Sequence, residues 1–150
     1  MKYWLFKTEP SSYSIDDLMK DKYTLWSGIR NYQVRNMLRD DIKKGDKVLI
    51  YHSSTDLIGI VGIAEVIEAS LPDITALDKK DHHYDSKSTK DNPIWFACEI
   101  KFVRKFKNIF SLKDIKSYYE LQEMKILQKG NRLSVTPVTK SEFEFINKIN

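Results

Sequence analysis

Ile58-Gly59-Ile60-Val61-Gly62-Ile63-Ala64-Glu65-Val66-Ile67 is a β-branched run with two glycines inside it. Such residues suit the pleated surface of a sheet, so the run reads as a strand. Val48 to Tyr51 is its antiparallel partner, separated from it by the polar turn Ser53-Ser54-Thr55-Asp56. Gly59 and Gly62 in a strand interior signal a sharp bend or a close backbone approach, as at the corner of a barrel. The pair therefore predicts a small curved sheet or barrel.

Upstream, Lys44-Gly45-Asp46 marks a turn, and Tyr3 to Phe6 is a further short strand, closed by Glu9-Pro10 and a serine turn. Ser14 with Asp17 three residues on resembles a capping box, and Ile15, Leu18 and Met19 follow at the spacing of a core-facing stripe. Tyr32 to Asp40 has helical composition, with Val34 and Leu38 on one face and Arg35 and Arg39 on a more exposed one. Downstream, Ser70 to Pro93 is polar and too long for a hairpin turn. It reads either as a solvated insertion or as a binding loop, with Tyr84 its candidate contact residue. Trp95 to Val103 alternates Phe96, Cys98, Ile100 and Phe102 against Glu99 and Lys101, which predicts a strand with one wet face. Arg104 and Lys105 at its end are candidates for phosphate contact or plain solvated surface. Ser111 with Asp114 and Thr139 with Glu142 mark two more helix starts, the second leading into Phe143, Ile146 and Ile149; Arg132 to Pro137 lies between them as a last strand.

The chain of 150 residues, 41% of them hydrophobic, is long enough to bury a core, and no repeat or composition break divides it, so one domain over 1–150 is expected. Twenty-five basic against 21 acidic side chains permits nucleic-acid binding without demanding it. Cys98 is the single cysteine, which excludes an internal disulfide and fits a reducing setting. The first ten residues, interrupted by Lys7 and Glu9, do not read as a signal peptide, and no stretch approaches a membrane span. A cytoplasmic protein, nuclear in a eukaryote, with no membrane partner, is the expectation. No Cys/His set has metal-ligand spacing, and Walker, Rossmann and nucleophile-elbow patterns are absent, so neither a metal, a cofactor nor a catalytic residue is expected.

Trp26-Ser27-Gly28-Ile29-Arg30-Asn31-Tyr32 places a large flat ring, a hydroxyl, a bare glycine, a guanidinium and an amide within seven residues. A planar polar ligand can use all of them, by stacking on Trp26 and bonding to Arg30 and Asn31. A core tryptophan followed by a turn and an amphipathic helix would use the same residues. Tyr51-His52-Ser53 ends a buried strand where a pocket would open, although a lone histidine is also a common satisfied structural residue.

Lys7-Thr8-Glu9-Pro10, Trp26 to Tyr32, Tyr51-His52-Ser53, Ile60 to Val66, Tyr84-Asp85, Asn92 to Trp95 and Arg132 to Val138 occur in the order and spacing of the EVE domain. The resemblance runs almost end to end, and the chain looks like a free-standing EVE protein similar to the thymocyte nuclear protein family, within the PUA-like superfamily that includes YTH and ASCH domains. It implies an α+β fold: a curved, mostly antiparallel PUA-like β-barrel with peripheral helices and a pocket at its mouth that accepts a modified base. By the same resemblance Trp26 forms a pocket wall, Ser27, Asn31 and Ser53 supply hydrogen bonds, Lys7, Arg30, His52 and Arg132 line the approach or hold phosphate, and Tyr84 is a second aromatic wall. Thr8, Ile29 and Ser86 stand where serine, valine and proline are common in the family.

The expected function is thus non-catalytic recognition of a modified, flipped-out base in DNA or RNA by a monomer. Two other readings use different residues: an RNA-associated adaptor acting through a basic face, and an enzyme using Glu9 or His52 as acid or base on a nucleotide-like substrate.

Overall fold

The computed structural model describes residues 1–150. Its six strands are β1 (Tyr3–Thr8), β2 (Tyr23–Trp26), β3 (Lys47–His52), β4 (Gly59–Pro72), β5 (Phe96–Ser111) and β6 (Val135–Val138). They form one mixed sheet in the order β2-β5-β4-β3-β1-β6. All neighbours are antiparallel except β1 and β3, which run parallel with Phe6 opposite Ile50. The α+β, curved-sheet expectation is met; the sheet curves without closing and leaves β2 and β6 as its edges.

Alternation along the strands divides the core into two layers. Trp4, Phe6, Val48 and Ile50 point to one face, where Trp26, Cys98 and Ile100 join them beneath α1 (Ile15–Asp21) and α2 (Tyr32–Asn36). Leu5, Leu49 and Tyr51 point to the other, under α3 (Leu112–Ser117) and α4 (Lys140–Ile149), which contribute Ile115, Phe143 and Ile146. All three capping boxes form as read, at Ser14/Asp17, Ser111/Asp114 and Thr139/Glu142. Two stripe positions differ: Met19 and Ile149 are exposed, because the sheet contacts only the Ile15/Leu18 and Phe143/Ile146 sides of their helices. The helix expected over Tyr32–Asp40 widens into a π turn at Met37–Asp41, where the Ile42 N–H donates to Met37 O.

The glycines of β4 meet their expected role. A Cβ on Gly59 would lie 2.3 Å from the Phe110 carbonyl oxygen, and one on Gly62 2.6 Å from that of Arg104. The registers with β3 and β5 slip around Gly62, so Val61 faces the first layer while Ile60 and Ile63 face the second. These bulges bend the strand. The Lys44-Gly45-Asp46 turn is fastened by Asp46, whose buried carboxylate accepts from Lys2 N, Lys43 N and the Trp4 indole. β5 runs eight residues beyond the expected strand, β6 passes through Pro137 to Val138, and β2 has no counterpart in the sequence reading.

Candidate nucleic-acid interface

β2 ends at Trp26, at the edge of the first layer. The indole is 9% exposed and rests on Phe6, with ring centroids 5.6 Å apart, while Tyr13 meets it edge-on at 6.2 Å. Its remaining surface borders a cavity of about 350 Å³ lined by Thr8, Ser12, Tyr13, Thr24, Leu25, Ser27 and His83. That volume is at the small end of ligand sites, and the lining mixes aromatic walls with hydroxyls and no carboxylate. The Thr8 hydroxyl donates to Tyr13 O at 2.8 Å, fixing the turn before α1 against β1. The Tyr13 hydroxyl donates to Asp21; burial first, and then this bond, push its pKa up to about 12, so it stays a neutral donor throughout the physiological range.

Beyond Trp26 the chain makes a left-handed turn at Gly28, with φ of +79°. No other residue type fits easily, since a Cβ there would lie 2.9 Å from the His83 ring. The Gly28 N–H donates to Asp73, a fully buried carboxylate that also receives the Arg30 guanidinium at 3.0 Å and both the N–H and hydroxyl of Thr75. Burial by itself would raise this carboxyl; the bonds from Thr75, Gly28 and Arg30 outweigh it and hold the pKa below the usual range. Arg30 also donates to Ile29 O, to Thr75 Oγ1 and twice to His83 O, and lies 5.2 Å over the Trp95 ring. A guanidinium has five N–H donors, and all five are committed here. The long 73–95 loop is thereby clamped onto the Trp26 segment. Its far end is held by the Trp95 indole donating to Asp85, whose carboxyl this bond lowers.

The residues expected at the site divide accordingly. Trp26 and Ser27 line the cavity; Ser53 does not, and only its backbone N–H, donated to Thr8 O, ties it to a lining residue. Arg30 is beside it but acts as the loop's clamp, not as a free phosphate or base contact. Asn31 is exposed and caps α2 by accepting from Val34 N–H, which engages its oxygen outside the cavity. Tyr51 is 3% exposed in the opposite layer, because period-two alternation turns it away from Trp26; burial raises its pKa. His52 accepts the first free N–H of α1, that of Ile15, and burial, aided by Lys105, lowers its pKa. Lys7 alternates away from Thr8 and is half buried with no ion-pair partner, and burial lowers its pKa. Arg104 bonds to Asn147 and Asn150 at the end of α4, and Lys105 pairs with Asp16, so neither reaches the cavity. Arg132 lies in a separate groove. Tyr84 is exposed at the loop surface, and its neighbour His83 is the residue that faces Trp26.

Thr8, Ser12, Tyr13, Thr24, Leu25 and His83 are thus lining residues of the candidate site that the sequence did not single out. Thr8 stood in the Lys7-Thr8-Glu9-Pro10 motif without a site role assigned to it, and Tyr13, beyond the Glu9-Pro10 turn, carried no motif of its own. His83 was legible only as part of a polar loop, since its position depends on the Gly28 turn. The loop also gathers Asp81, His82 and His83 with ligand atoms within 4.8 Å of one another, a grouping that spacing rules did not anticipate; the Asp81 carboxylate is hydrogen-bonded to the His83 ring at 2.9 Å.

A six-stranded curved sheet with an aromatic, hydroxyl-lined cavity at the end of an edge strand is an α+β fold of the PUA-like kind. The chain belongs to the EVE domain family, whose profile matches residues 2–149. Thymocyte nuclear protein 1 of Gallus gallus is 39% identical over 96% of this chain, which spans 66% of that relative's length. The crystal structure of protein PSPTO5229 from Pseudomonas syringae superposes with a TM-score of 0.91 at 42% identity, covering 98% of each chain. Human THYN1 in complex with 5-methylcytosine-containing DNA superposes with a TM-score of 0.89 at 35% identity, covering 99% of this chain and 97% of that one.

Proposed function

We propose that this chain is a non-catalytic EVE module that binds nucleic acid carrying a modified base and receives the flipped-out base in the Trp26 cavity. The observation that carries the reading is the cavity itself: one indole wall, a tyrosine edge, a histidine and several hydroxyls, in a chain similar to a human protein crystallised with 5-methylcytosine DNA. Stacking on an aromatic face contributes about 1 to 3 kcal/mol per base and is indifferent to sequence. Burying one added methyl contributes about 0.8 kcal/mol, roughly a fourfold preference. Stronger selection needs a close-fitting wall or a polar group that the wrong base leaves unpaired. Ser27, Thr24 and His83 are placed to provide both. Absence of chemistry is part of the proposal: no carboxylate lines the cavity, Glu9 is exposed outside it, and His52 is tied to α1.

The test is fluorescence titration with short oligonucleotides containing cytosine or 5-methylcytosine. Trp26→Ala would remove a core side chain at a cost of about 3 to 5 kcal/mol, so the informative variants are Trp26→Phe, Ser27→Ala and His83→Ala. A preference for the modified base in the native protein that shrinks toward one in these variants supports the reading. Equal affinity for both bases, unchanged by all three substitutions, overturns the cavity assignment.

A further inference from the structure

A groove of about 540 Å³ runs along the outer edge of β6, apart from the Trp26 cavity. One wall is α2 and the turn after it, through Gln33 and Met37; the other is the 125–133 loop. Lys125, Lys129 and Arg132 line it, no carboxylate does, and none of the three enters an ion pair elsewhere in the chain. The whole protein carries a net charge of only +4, so three free cations in one groove are a strong local concentration. The loop is braced by its own hydrogen bonds. Asn131 donates from its amide to Lys125 O and accepts from Leu133 N–H, and Gly130 takes the left-handed turn between Lys129 and Asn131. The cations are therefore presented by an ordered turn.

An open strand edge can also recruit a peptide strand. Pro137 argues against that occupant: it lies in β6, lines the groove and offers no N–H for a ladder. A polyanionic backbone matches the charge and needs no ladder. Thr136 in the groove pairs with Leu5 of β1, and Thr8 of the same strand borders the Trp26 cavity, three residues or about 10 Å along. One strand can hold both sites at once.

We infer that the Lys125/Lys129/Arg132 groove binds the sugar-phosphate backbone of the same nucleic acid whose base enters the Trp26 cavity, and that it sets affinity without reading sequence. This rests on the reading of the chain as a nucleic-acid binder. Each phosphate neutralised changes the slope of log affinity against log salt by about 0.7 for single strands and about 0.9 for duplex.

The experiment measures binding of labelled 12-nucleotide DNA, single- and double-stranded, with cytosine or 5-methylcytosine, across a salt series. The native chain is compared with K125Q/K129Q/R132Q and with K113Q/K116Q/K148Q, a charge-matched control whose lysines are exposed on α3 and α4. The expected result is a slope shallower by about 2 to 3 for the groove variant, with modified and unmodified DNA weakened together and their ratio preserved. The control should keep a slope near the native one. An unchanged slope in the groove variant, or an equal loss in the control, overturns the groove. Loss of base preference is read separately: a native protein with no preference but a groove-dependent slope defeats the base-reading proposal and leaves the groove standing.

Discussion

Arg30 and Arg132 are both arginines in loops beside α2, and they do opposite things. Arg30 is enclosed by the 73–95 loop and has every donor matched within the protein, while Arg132 lies in a groove with no anionic partner. The contrast extends to their surroundings. Around Arg30 a buried carboxylate, two carbonyls and a threonine form one saturated network, which gives the cavity a fixed wall. Around Arg132 the groove holds two further lysines without ion-pair partners and neutral side chains such as Gln33 and Gln128, with no carboxylate. A cation's position in the sequence next to an aromatic motif therefore says little about whether it contacts a ligand; the count of its uncommitted donors decides. The rigid region shapes, and the unsaturated region attracts.

Asp73→Ala should break this contrast most severely. It leaves the Arg30 guanidinium, only 23% exposed, without its buried anion, and removes the acceptors of Gly28 N–H and Thr75. Removing one partner of a buried pair costs about 3 to 5 kcal/mol, visible as a lower denaturation midpoint in urea or guanidinium. Arg132→Gln should change the stability obtained from the same titration by less than about 0.5 kcal/mol, as exposed substitutions do. Comparable losses in the two variants would show that the saturated network is not the structural half of the pair.

Gly28→Ala is next in size. The positive φ and the contact with the His83 ring together should cost about 1 to 3 kcal/mol, because the His83 side chain can shift while the backbone strain remains. Base preference should fall with it, since the residue displaced is the one facing Trp26; the salt slope should not. A Gly28→Ala protein with native stability and native preference would mean that the loop does not depend on that turn.

Most of the fold was legible from patterning. The β4 glycines announced close approach, and all three capping boxes formed at the residues that announced them. β2 was not legible: only Trp26 of its four residues is buried, and a short edge strand has no alternation long enough to register. The site was legible in its centre and not in its periphery. Trp26 and Ser27 carry the cavity from a local motif. Tyr51 misled because a one-residue step along a strand reverses its face, and Tyr84 because the loop's path is set by a contact 53 residues away between Arg30 and His83 O. Long-range hydrogen bonds of that kind leave no periodic trace.

Acid should separate the α1 contact from the Arg30 clamp by a smaller effect than either substitution. His52 must keep Nε2 unprotonated to accept the Ile15 N–H, and burial holds its folded pKa below 6.5. A depressed histidine pKa means that the unfolded chain binds the proton first, so its contribution to stability is present above about pH 6.5 and is lost as pH falls through the folded value. Asp73 is depressed too, but from 3.8, so its contribution persists until pH falls below that value. Between pH 7 and 5, protection factors, taken against the intrinsic exchange rate at each pH, should therefore fall at the start of α1, where His52 docks, while that of Gly28 N–H, held by Asp73, stays constant. His52→Gln should remove the first change and leave the second. If instead Gly28 loses protection in step with α1, the clamp and the α1 contact are one cooperative unit, and the rigidity assigned to the Arg30 network belongs to the whole first layer.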